Sequence, residues 1–321
     1  MLTAFLFCPA VQLTRVSDPA DFAEIDQTYD EVRLEADVDF HGLEFPVLQT
    51  FSGVFDGGNH TIRGVRADGP LVLQCINCLF RDVRFVDVQI SSEAGAASLF
   101  EQVQNFTLDN VRVNSSAFSG HVAAAALAQF SFGRLSVNNS VFRDVSVHCS
   151  DSENTSALVN VLTGSVVVNI SLVRAVSTAG AGLFLRATQI RLENSEIEPF
   201  WPAERKPSDL GISPLSGTLE RVSVSNCNLV FRCGGSCRLN VFGKDENVIS
   251  AVQGSVVNAS SGSVGESKLY FLASEVYNSV INAPGFEAML SGLSDECSYV
   301  FSDVDPSWTS DKNNRAFKSV E

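Results

Sequence analysis

The chain has 321 residues and a net charge of −15, with 45% hydrophobic but only 18% charged residues. This acidity argues against nucleic acid and anionic membranes as partners, since both need basic patches. No apolar run reaches the roughly 18 residues of a membrane-spanning helix, and 23 Phe against 2 Met, with abundant Val, is a strand composition.

In chain order, Met1–Leu13 (MLTAFLFCPAVQL) is apolar but has no Lys or Arg ahead of its core. It reads either as a signal segment, which would make residues 1–15 a leader, or as a strand covering the end of the core. Ser17-Asp18-Pro19 then reads as N-cap, first-turn acid and first-turn proline. These open a short amphipathic helix that runs to Gln27 through Phe22 and Ile25 and plugs an open sheet end. Tyr29–Phe40 alternates as a strand that buries Val32, Leu34, Ala36 and Val38. In Phe51–Val65 an apolar hook enters Asp56-Gly57-Gly58-Asn59, a strong tight-turn signal. A strand follows with Ile62 and Val65 inward.

From there one small pattern returns: two alternating apolar residues, a turn residue, then another apolar residue. Its turn positions are Gly64, Asp87, Asn110, Asn139, Ile170, Asn194, Asn226, Asn258 and Asn278. A second series (Leu99, Leu127, Leu158 and Leu183) precedes the corners at a nearly fixed offset. A loose period in the twenties with two strands per repeat is the signature of a stacked solenoid. The expected fold is an all-β parallel β-helix over residues 16–302, followed by a polar tail over 303–321. At about 4.8 Å per coil, about nine coils make a rod about 40 Å long. Asn110, Asn139, Asn194 and Asn226 are expected to stack their amides into a ladder, with Ile170 as a defect in it. The longest insertion is expected at Pro199–Pro214.

Over Val16–Val65 the chain resembles the GLUG-motif repeat proteins. The resemblance lies in the short helix, Ala36-Asp37-Val38-Asp39-Phe40 and Phe51-Ser-Gly-Val-Phe-Asp-Gly-Gly-Asn-His-Thr-Ile62. The Gly-rich strand starts of that family survive downstream only as Ala-rich ones. The resemblance implies a right-handed β-helix of secreted or cell-surface proteins, often adhesin-like, and brings no catalytic residues with it.

Candidate chemistry is sparse. The eight cysteines are too few for a disulfide scaffold. Cys75/Cys78 and Cys233/Cys237 form two tight pairs, open to reading as local disulfides, buried thiols or metal ligands. Asn59, Asn105, Asn114, Asn138, Asn154, Asn169 and Asn258 lie in Asn-x-Ser/Thr sequons, which lean towards an extracellular glycoprotein. Asp56 and His60 flank the turn as an acid/base pair or as a self-capping turn. Asp37 and Asp39 share a strand face as a cation site or as a corner. His41, His121 and His148 show no partner spacing. No nucleophile elbow or phosphate loop occurs, and no cofactor or metal is expected. Arg84, Arg112, Arg143, Arg174 and Arg191 recur near similar coil positions with Asp82, Asp109 and Asp144, a carbohydrate-cleaving groove or simply the polar outside of each strand. Phe200 and Trp201 are the candidate ligand contacts. The expected role is a non-enzymatic rod that binds a glycan or protein partner through its loops. The alternative is a polysaccharide lyase or glycoside hydrolase working from an outer face.

Overall fold

The computed structural model describes residues 13–25, 31–149, 155–177, 183–201, 216–233, 238–240, 249–261, 267–277, 279–295, 298–304 and 315–318. Nearly all of them lie in strands, which form one 24-stranded and one 3-stranded sheet, and the pairings are parallel. The chain is a parallel β-solenoid. One coil runs through Val72–Arg81, Arg84–Val86, Gln89–Ser92 and Ala96–Ala97. The next repeats it as Phe100–Asp109, Arg112–Gly120 and Ala123–Ala125. The register sets Gln74 against Gln102, Phe85 against Val113, Ile90 against Phe118 and Ala96 against Ala123. Each coil satisfies its backbone only by docking on the next, so apolar side chains must repeat at equivalent inward positions. One such ladder is Phe55, Phe80, Leu108, Val137, Val168, Leu192, Val224 and Val252, all buried. Burial of each stabilises by about 1.5–3 kcal/mol. The predicted leucine series is a second ladder: Leu99, Leu127, Leu158 and Leu183 are buried, and the Leu127 and Leu158 N–H groups donate to the Leu158 and Leu183 carbonyls.

The N-terminal end differs in detail from expectation. Leu13–Val16 is a strand paired with Glu31–Leu34, while residues 1–12 lie outside the described ones. The helix is a six-residue 3-10 turn, Pro19–Glu24, and not a helix to Gln27. Its N-cap is Asp18, not Ser17: Asp18 accepts from the Ala20 N–H, and the Asp21 carboxylate accepts from Ser17 and Asp18. Phe22, its one buried residue, meets Phe40 and Phe45 at ring distances of 5.3 and 5.4 Å. No described helix is long and apolar enough to cross a membrane. At the other end, Arg315–Lys318 of the expected tail is a strand paired with Ser298–Val304.

Three kinds of corner recur among the described residues, and their alignment corrects the predicted repeat. Gly64, Asp87, Ser115 and Asp144 take positive φ at one corner. Asp82, Asn110, Asn139, Asn194, Asn226 and Gly254 do so at another. The predicted series therefore joined two corners, because Asp87 and Asn110 carry the same local signal. Asn258, expected at a corner, lies within the strand Val256–Ser261, and Gly254 makes the turn in its place. Ile170 lies in the strand Val159–Ser177 opposite Ser140, and Asn278 lies outside the described residues. A third corner was not foreseen: Asn77, Asn105, Gly133 and Gly164, again at positive φ, bend the long strand.

The amide ladder is correspondingly rearranged. Asn110 Nδ2 donates to Asp82 at 2.6 Å, but Asn139 Nδ2 donates to Asp109 at 3.2 Å and not to Asn110. Among the described residues Asn194 and Asn226 make no side-chain hydrogen bond. Asn-to-Asn bonds occur elsewhere, Asn105 to Asn77 at 3.1 Å and Asn282 to Asn258 at 3.3 Å.

Inside the second corner runs a hydroxyl ladder that the sequence reading overlooked, although a small polar residue after the turn (Ser140, Ser195, Cys227, Ser255, Ser279) recurs in the pattern. All five are buried. Ser140 Oγ accepts from the Val111 N–H at 3.1 Å and donates to the Asn138 carbonyl at 2.7 Å. Ser255 Oγ does the same between Cys227 N–H and the Gln253 carbonyl, and Ser279 Oγ accepts from Ser255 N–H. Burial pushes the Cys227 thiol pKa up, so this thiol stays neutral. Ser140→Ala is expected to cost about 1–3 kcal/mol in urea unfolding, because the buried Val111 N–H loses its acceptor.

Candidate functional site

The predicted turn forms as read. Asp56 Oδ1 accepts from the Gly58 N–H at 2.9 Å and Oδ2 from Arg81 at 2.9 Å, so the carboxylate caps its own turn and braces the next coil. Gly58 and Asn59 take positive φ. Gly57 has another reason to be glycine: a Cβ there would lie 2.4 Å from the Asp82 carbonyl oxygen and 2.5 Å from Val83 Cα. His60 does not pair with Asp56; its ring faces Asp37 at 3.5 Å.

Charged side chains gather at the neighbouring corner. Asp39 accepts from the His41 N–H at 3.0 Å, lies 2.5 Å from His41 Nδ1 and accepts from Arg63 Nε at 2.9 Å. His41 Nε2 lies 3.4 Å from Asp87, and Arg66 donates to the Asp87 carboxylate at 3.1 Å and its carbonyl at 2.8 Å. His41 thus does have partners, one of them in another coil where sequence spacing cannot reveal it. The His41 backbone N–H, then its ring, and then Arg63 hold the Asp39 carboxyl at about 2 against an ordinary 3.8. The Arg66 hydrogen bond likewise lowers Asp87. A carboxylate with a depressed folded pKa lends stability above its unfolded pKa and loses it as pH falls through the folded one. Acid scans should therefore show a loss between about pH 4 and pH 2 that Asp39→Asn flattens. Equal slopes in both proteins would refute that role. These groups are exposed or, for Asp87, half-buried, and are braced to one another across coils. Among the described residues no three His, Cys, Asp or Glu side chains could hold a metal ion.

The arginine row aligns only in part. Arg84 faces Arg112, but Arg112 faces Val141; Arg143 faces Asn114; Arg174 faces Glu198. Arg191 lies on a different strand and pairs with Glu193 at 2.5 Å. Cys75 and Cys78 form a disulfide across Asn77, whereas Cys237 lies outside the described residues. Cys149 is buried, and its thiol donates to the His121 carbonyl at 3.1 Å. Phe200 and Trp201 sit not in a loop but in the strand Glu196–Trp201, opposite Val176, Arg232 and Cys233. Residues 202–215, most of the expected insertion, lie outside the described ones. Of the sequon asparagines, Asn105 commits its amide to Asn77 and its oxygen to the Arg134 N–H.

One lateral face has a different character. Thr50, Gln74, Gln102 and Phe130 lie in register, as do Ile76, Gln104, Phe132 and Thr163. Gln74, Gln104, Phe130 and Phe132 are exposed, the two rings by 39% and 41%. A shallow groove between the columns is lined by Gln74, Ile76, Gln102, Gln104 and Phe132, with no charged side chain. Among the described residues none of these three glutamines has a side-chain hydrogen-bond partner. By contrast the buried Gln129 and Asn160 bond to each other at 2.7 Å, with Gln129 donating to the Ala97 carbonyl and Ser156 to Asn160. Nothing in the sequence pattern singled out this face. Comparison with family models, with curated proteins and with solved structures returns no match.

Proposed function

We propose that this chain is a non-enzymatic rod of the GLUG-motif kind, extracellular or on a cell surface, that binds a glycan or protein partner through its sides. In this reading the solenoid is right-handed, has about nine coils, and is covered at its N-terminal end by the turn Pro19–Glu24. The supporting observation is the division of its surface. The described Asp, His and Arg clusters brace coil to coil, whereas a groove with no charged lining displays amide groups and the Phe132 ring without protein partners, with Phe130 exposed on the same strand. The cleaving alternative is the less supported reading, because the expected arginine row is interrupted after Arg84 and Arg112. Phe200 and Trp201 remain a second candidate contact.

The test incubates the purified chain with acidic and neutral polysaccharides and follows new reducing ends, unsaturated products and retained binding together. Binding without cleavage is the expected result. Chain cleavage would overturn the reading.

A further inference from the structure

Alternation along Phe130-Ser131-Phe132 is inverted relative to what burial favours. The inward column at this level is Phe51, Cys75, Val103, Ser131 and Leu162, so a serine occupies an otherwise apolar ladder. Ser131 is 1% exposed and its hydroxyl has no hydrogen-bond partner. A one-residue slip would bury both rings and expose the hydroxyl, yet the register holds from Gln102 through Gln104. Places where local sequence rules are broken are expected to be functional or strained sites.

From this inversion we infer that Phe130, Phe132, Gln74, Gln102 and Gln104 form a binding site for an uncharged polysaccharide. The inference rests on the proposed function and specifies its ligand. The two rings stand on alternate residues of one strand, about 6.6 Å apart along it, and offer flat apolar surface to the C–H face of a pyranose. Each glutamine carries both donor and acceptor, matching sugar hydroxyls that need both. The amides recur on successive coils about 4.8 Å apart, so contacts extend along a chain ligand instead of enclosing a small one. Charge selects the class. The groove has no charged lining to pair with uronates or sulfates, and a net charge of −15 repels polyanions.

The test uses the full chain, immobilised uncharged polysaccharides (linear β-glucan, mannan and galactan) and a carboxymethylated glucan. Wild type should be retained on at least one uncharged polymer and not on the carboxymethylated one. The double variant Phe130→Ala/Phe132→Ala should bind at least about tenfold more weakly, as when aromatic anchors are truncated. Because both rings are exposed, its thermal midpoint should stay near wild type. Gln104→Ala should weaken binding less, and Ser131→Ala should leave it intact without lowering stability.

Glycan binding that survives the double variant overturns this site while sparing the broader function. Preference for the charged polymer, or no retention on any uncharged one, overturns the proposed ligand class. A dimer in sedimentation that the double variant converts to monomer makes the face a self-contact and overturns the site as well.

Discussion

Gly57→Ala is expected to destabilise the protein by about 3 kcal/mol or more, at the upper end of overpacking effects. The added Cβ would fall 2.4 Å from the Asp82 carbonyl oxygen and 2.5 Å from Val83 Cα. Both are backbone of the next coil, so no rotamer change relieves the contact. Relief requires coils to separate, and that would strain the Gly57 N–H bond to the Arg81 carbonyl at 2.8 Å and the Asn59 N–H bond to the Asp82 carbonyl at 2.7 Å. The control is Gly42→Ala. Gly42, unlike Gly57, has positive φ, and a Cβ there meets nothing within 4 Å, so only the left-handed backbone cost of about 1–2 kcal/mol applies. Urea unfolding of the two variants separates the effects. Equal midpoints would show that close approach of the coils is not the constraint.

Phe80→Ala should cost about 3–5 kcal/mol. Its ring stacks on Phe55 at 4.9 Å and meets Phe100 edge-on at 5.0 Å, with Phe51 and Phe106 at 5.5 and 5.7 Å. Truncation opens a cavity at the centre of this aromatic column, where rings from three coils converge and backbone pairing on both sides prevents collapse. Phe80→Leu should recover most of the loss, and the lost near-ultraviolet signal should accompany the shift in midpoint. A cost below about 1.5 kcal/mol, the range of volume-conserving swaps, would mean that the column relaxes freely.

Much of the solenoid was legible in the sequence because stacking imposes a local rule on every coil: apolar residues inward and a left-handed residue at each bend. Leu99, Leu127, Leu158 and Leu183 obey it without exception and were found. Asp87 and Asn110 obey it equally well at different corners. Local sequence therefore cannot assign them, and only the pairing of Asp87 with Asn114 and of Asn110 with Asn138 separates them. The bend at Asn77, Asn105, Gly133 and Gly164 escaped notice because Asn on two coils gives way to Gly on the next two, inside what reads as a continuous strand. His41 and Asp87 meet only because the His41 ring reaches over Gly64 of the intervening coil. The candidate face was not legible for a sharper reason. In isolation Phe-Ser-Phe reads as two buried rings around an exposed hydroxyl, and the register enforced by the flanking coils reverses it.

The coil-to-coil pairing makes this molecule a linear lattice. A rung such as Phe100–Asp109 bonds to Val72–Arg81 on one side and to Ala128–Cys149 on the other. Cooperativity in such an array passes only between nearest neighbours. Heating should fray it inward from its termini, and tension along its axis should release it in steps of one coil. Damage at Gly57 should register first in amide exchange of the adjoining rungs, while rungs far along the axis keep their protection.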